Sequence, residues 1–208
     1  MYKLNRNYLN LNKAFFDGFG FYDFPEIRPV HDCFVDEIIP FNFAKGRYDP
    51  AHCGIHFFID DYQFERVWNR PDSYLSMLSR FGLVFTPDFS VYSDFPKAIQ
   101  IYNHYRKHWL GAYWQQNGIY VIPTISWSDQ NSFEWCFDGE PVGSIVAVSS
   151  VGTQKNPRAK ELFDLGFQEM LTRLEPEKII IYGLYVPDSC SCDYVLVNSF
   201  QNKFRKES

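Results

Sequence analysis

Apolar residues in this chain fall into short continuous runs between polar turns, and two longer segments carry them at helical spacing. The runs at 37–41, 55–59, Leu83–Phe85, 119–125, 144–148, Lys178–Tyr182 and 194–197 read as strands. Most are continuously apolar and β-branched, the pattern of strands buried on both faces in a parallel sheet. Residues 63–69 read as a short helix and 71–81 as a longer one, and Pro157–Leu174 as a long helix with proline at its first position. The longest helix is expected between Asp94 and Gly118. Ala98, Ile101, Tyr102, Tyr105, Trp109, Ala112 and Tyr113 recur there at threes and fours, so one stripe should face a core. Asp94 is the expected cap, Pro96 falls in the first turn, and Gly118 suits the position just past the end. His104, Arg106, Lys107 and His108 read as a partly solvated basic face.

Strands alternating with helices give an α/β fold with a mostly parallel sheet of six to seven strands. A partial (β/α)-barrel-like arrangement is expected, the alternative being an open doubly wound sheet. A chain of 208 residues suits a single domain, with 1–30 an irregular aromatic arm carrying one short helix and 203–208 a polar tail.

Composition narrows the function classes. Aromatics reach 19 %, and the net charge of -5 argues against a broad nucleic-acid footprint. No run has the length of a membrane span, and the N-terminal residues carry no apolar signal block. Five scattered cysteines suit a reduced, cytoplasmic protein, and Cys190-Ser-Cys192 has no second pair at zinc spacing. His56, inside an apolar strand, reads as a hydrogen-bonded core residue. No glycine-rich dinucleotide fingerprint or nucleophile elbow occurs.

In either architecture ligands bind at the C-terminal ends of the strands. Those ends carry Asn42, then Asp60 and Asp61, then Asp88 with Phe89, Ser90 and Tyr92, then Trp127 and Asp129, then Ser149 and Ser150, then Tyr182. Clustered carboxylates drive their proton affinities apart, so one serves as acid and another as base, or together they hold a divalent cation. Asp88 is the expected base or nucleophile, with Asp60 and Asp61 beside it. Rings such as Phe89, Tyr92 and Trp127 stack on flat ligands. The loop 149–156, with a glycine, a lysine and small polar residues ahead of a helix, suits a phosphate but lacks the Walker pattern.

The stretches at 56–71 (HFFIDDYQFERVWNRP), 86–127 (from TPDFSVYSDFPKAIQIYNHYRKHW to IPTISW), 132–152 and 174–183 resemble the family called domain of unknown function 4417. The resemblance spans residues 54–183 and is most specific around Pro87–Ser90. It implies an intracellular protein of bacteria, phages and mobile elements, and it assigns no activity. The leading expectation is an enzyme or binding protein with an acidic, ring-lined pocket for a nucleotide- or sugar-like molecule. The competing expectation is a protein that binds and modulates a host or partner protein.

Overall fold

A computed structural model describes residues 8–199. The expected polar tail lies outside that range. In the arm, β1 (Gly18–Phe19) and β2 (Phe24–Pro25) form a small antiparallel pair. No helix occurs in the described part of the arm.

Seven parallel strands follow, in sequential order. β3 (Glu37–Pro40), β4 (Cys53–His56), β5 (Leu83–Phe85) and β6 (Val121–Ile122) form a four-stranded sheet. β7 (Ile145–Ser149), β8 (Lys178–Tyr182) and β9 (Asp193–Val197) form a three-stranded one. The run expected as one strand over 119–125 is shorter because it changes partners. Pro123 has no N–H to give to β5. Beyond it Thr124 bridges to Ala147, and the Ile125 amide donates to the Ala147 carbonyl at 2.8 Å. That step joins the two sheets. The second strand also ends early, because His56 turns the chain: its Nδ1 accepts from the Phe58 amide at 3.1 Å.

Connecting helices are α1 (Glu65–Asn69), α2 (Asp72–Leu78), α3 (Lys97–Gln116) and α4 (Pro157–Leu174). Successive strand residues point to opposite faces. Val84, Val146, Ile179 and Ile181 therefore pack toward the helices, while Leu83, Phe85, Ile145, Ala147 and Ile180 form a separate inner core. The rings of His56 and Tyr182, on non-adjacent β4 and β8, lie 4.4 Å apart, so the joined surface is curved. The described strands do not close into a barrel.

The long helix departs from expectation. Asp94 does not cap it: Pro96 is the N-cap residue, with no side-chain bond. Ala98 is exposed, whereas His104, Arg106, Lys107 and His108 are buried. The basic face is not solvated because the arm straps it. Arg28 and Gln115 exchange hydrogen bonds at 2.8 and 2.9 Å, and the Ile27 amide donates to the Gly139 carbonyl. A helix covered on nearly all sides buries polar residues too, and each of these four finds a partner. No helix among the described residues is long and apolar enough to cross a membrane.

Candidate functional site

A cleft of about 390 Å³ opens where β5, β6 and β7 end, across the joint between the sheets. Three loops line it: Asp88–Ser93 after β5, Ile125–Ser128 after β6, and the segment from Ser149 to Lys155 after β7. Leu162 and Phe163 of α4 close one wall. Six residues expected at strand ends meet here: Asp88, Phe89, Ser90, Tyr92, Trp127 and Ser149.

The β5 loop is held rigidly. Asp61 accepts from the Ser90 amide at 3.0 Å and from its hydroxyl at 2.9 Å. Asn103 donates to the Ser90 carbonyl at 2.6 Å, and Arg106 donates to Asn103 at 2.7 Å. The Arg106 guanidinium lies 3.8 Å from the centre of the Phe89 ring. That ring is buried and covered, so Tyr92 and Trp127 are the rings left for a ligand. Tyr92 is 62 % exposed. Trp127 leans on Phe163 and donates to the Leu162 carbonyl at 3.1 Å.

Gly166 allows that tryptophan its place, because a Cβ on Gly166 would overlap the indole. Gly166→Ala should therefore push Trp127 toward the cleft. The expected cost is about 1–3 kcal/mol, as for other overpacked sites. Urea unfolding and a shifted tryptophan emission would register it, and an unchanged protein would show that α4 yields instead.

Asp88 is the unusual group. It sits partly buried at the cleft, and its carboxylate makes no hydrogen bond to any described residue. Burial, with the Asp61 charge adding, pushes it up to about 7, against a smaller opposing pull from Lys107. An acid that ionises near neutral pH can both give and take a proton.

Other expected site residues lie elsewhere. Asp60 is exposed at the start of a short turn, outside the cleft lining. Both oxygens of Asp61 are taken by Ser90, so Asp61 positions the loop. The three carboxylates thus offer no shared set of free oxygens for a divalent cation. Asn42 pairs with Gln63 at 3.0 Å. Tyr182 stacks on Phe58 and lines a second cleft with His56, whose imidazole burial pushes down to about 3. Asp129 caps its own turn through the Asn131 amide at 3.0 Å. Ser149 accepts from the Val151 amide at 3.3 Å. In the phosphate-like loop, Asn156 caps α4 through the Ala159 amide, leaving Lys155 as the loop's cation.

Behind Asp88 lies a buried network that residue spacing did not expose. Lys107 donates to the Thr124 carbonyl at 2.9 Å and to Glu140 at 2.6 Å. His108 lies 2.8 Å from the Pro25 carbonyl through Nδ1 and 3.1 Å from Glu140 through Nε2. His104 meets the Asp138 carbonyl at 3.2 Å. Burial raises the Glu140 carboxyl, but Lys107 and His108 outweigh it and hold the group below its ordinary value. Burial, with help from the neighbouring Lys107 and His108, holds His104 far below its own. A signal was present: apolar residues occur on several sides of α3, the mark of an enclosed helix.

Residues 16–201 match the family described as Domain of unknown function (DUF4417). The chain belongs to that family. It is 41 % identical over 177 residues to the Gene 1 protein of Mycobacterium phage L5, covering 84 % of this chain and 76 % of that one. It is 40 % identical over 178 residues to the Gene 1 protein of Mycobacterium phage D29, covering 84 % of this chain but only 65 % of that protein. No solved structure matches.

Proposed function

We propose that this member of the family binds a nucleotide- or sugar-like molecule in the cleft at the joint of the two sheets, and that Asp88 exchanges a proton with it. The observation that carries this reading is the carboxyl of Asp88, which lines a cleft without a hydrogen-bond partner and ionises near 7. Structural aspartates are ordinarily bonded, as Asp61 and Asp129 are here. The remaining chemistry of the lining supports the same class. Tyr92 and Trp127 offer flat faces, Lys155 offers a cation for a phosphate, and the buried Ser128 hydroxyl has no partner of its own. The protein would act in the cytoplasm.

The test is a panel of nucleosides, nucleotides and sugar phosphates, read by thermal shift and then calorimetry. At least one compound should bind, and Trp127→Ala and Lys155→Ala should each weaken it. If turnover follows, its rate should change with pH near 7 and lose that dependence in Asp88→Asn. Failure of the whole panel to bind would overturn the reading. It would leave a second one, a protein that docks on a partner through the exposed rings of the arm, where Phe15 is 75 % and Phe21 89 % exposed.

A further inference from the structure

We propose that His104, His108 and Glu140 form a zinc site inside the protein, which fastens the N-terminal arm and the Glu140 turn to α3. The two histidines stand four residues apart, on one side of the helix. Their potential ligand atoms and those of Glu140 lie within 4.8 Å of one another, and all three residues are buried. A shell at zinc–nitrogen and zinc–oxygen distances of about 2.0–2.2 Å brings such atoms to within roughly 4 Å. Small side-chain rotations close the difference.

Two further observations point to an ion. Each imidazole has one nitrogen against a backbone carbonyl, Pro25 for His108 and Asp138 for His104. An imidazole that donates one N–H to a carbonyl has its other nitrogen free of hydrogen, oriented as a ligand, which is the arrangement around protein-bound metals. For His108 that other nitrogen lies 3.1 Å from Glu140, an ordinary spacing for two ligands of one ion. The second observation is Oε2 of Glu140, which is buried with no hydrogen-bond partner. A bare carboxylate oxygen in the interior is costly, and an ion satisfies it. Two imidazoles and one carboxylate suit zinc better than calcium or magnesium, which take oxygens throughout.

Lys107 opposes the ion, since its ammonium lies 2.6 Å from Oε1 of the same carboxylate. That repulsion gives the site a signature no bland polar cluster would show. Lys107→Met should bind zinc on the order of tenfold or more tightly than the natural chain, because a nearby positive charge is gone.

The experiment strips the full chain with EDTA, reloads it with zinc, desalts it and measures metal content. About one zinc per chain should remain, and the melting temperature should rise. Cobalt loading should give the visible absorption of a four-coordinate nitrogen and oxygen site, a readout that needs no variant. His104→Gln should bring the metal to background, whereas His31→Gln, an exposed control that pairs with Glu177, should not. Loss of all zinc from the natural chain on desalting would overturn the proposal. So would equal retention by His104→Gln, which would mean an adventitious ion only.

Discussion

Asp88→Asn should make the protein more stable at pH 8 and change it little at pH 4. The reason is the proton balance of one side chain. In the fold Asp88 ionises near 7, against an ordinary value of 3.8 in an unfolded chain. Well below 3.8 the carboxyl is protonated in both states and contributes nothing to the balance. Above that, the unfolded chain gives up the proton freely while the folded one resists, so stability falls as pH rises toward 7 and then levels off. At 1.36 kcal/mol for each tenfold in proton affinity, the full penalty is about 4 kcal/mol. Local relaxation takes some of it back. Asparagine carries no charge, so it removes the penalty and its pH dependence together. In a chain of this length the gain at pH 8 corresponds to roughly 10 °C. Urea unfolding of both proteins at pH 4, 6 and 8 measures it. A less stable asparagine variant at pH 8 would instead make Asp88 a structural residue of its loop, and the proton-exchange reading would go with it.

The sign of that effect also separates two kinds of aspartate at this site. Asp61 is committed to Ser90, and its removal would loosen the loop that presents Asp88. Asp88 is held without a bond of its own, at a cost that the rest of the fold bears. Such a cost is a reason to look for function at a position, because selection for stability alone would remove it.

Much of this arrangement was legible in the residues. Leu83–Phe85, Lys178–Tyr182 and Pro157–Leu174 match their expected bounds, since local pattern, turn residues and a first-turn proline all agree there. The cleft was legible through one rule, that parallel strands gather their C-terminal loops at one end. The rule names loops, however, and not the direction of each side chain. Asp60 and Asp61 are adjacent in sequence, yet one is exposed and the other points into the Ser90 loop. Asn42 lies in the turn after the edge strand β3, and Tyr182 ends the middle strand β8 but turns its ring onto His56 and Phe58. The basic residues of α3 depart from expectation for a different reason. Their solvation depended on where the arm runs, and the strap from Phe24 to Arg28 is a contact between segments some eighty residues apart. Periodicity within one helix says nothing about such a partner. Glu140, in a turn after a short aromatic segment, carries no local sign that it will meet Lys107 and His108.

Glu140→Gln should destabilise the protein strongly, with an expected loss of about 3–5 kcal/mol. Its carboxylate accepts from Lys107 at 2.6 Å and lies 3.1 Å from His108, and the side chains of all three are at most 3 % exposed. An amide in the same place keeps the shape but not the charge, so the Lys107 ammonium stays buried on the Thr124 carbonyl without the full carboxylate charge beside it. Uncompensated buried charge is what makes half of an ion pair worse than none. The double variant Lys107→Met with Glu140→Gln should therefore recover a large part of the loss, and the coupling between the two changes should exceed 1 kcal/mol. The pH dependence runs opposite to that of Asp88. The Glu140 carboxyl is held below its ordinary value of 4.5, so its contribution is complete at neutral pH and disappears as acid protonates it in the fold. The gap between the natural chain and Glu140→Gln should thus be widest near neutrality and shrink below pH 4. Urea unfolding in EDTA keeps any metal out of the comparison. A loss under about 1 kcal/mol, or a double variant no better than the single one, would mean that water already reaches Lys107 and that the pair is not the closed interior contact described.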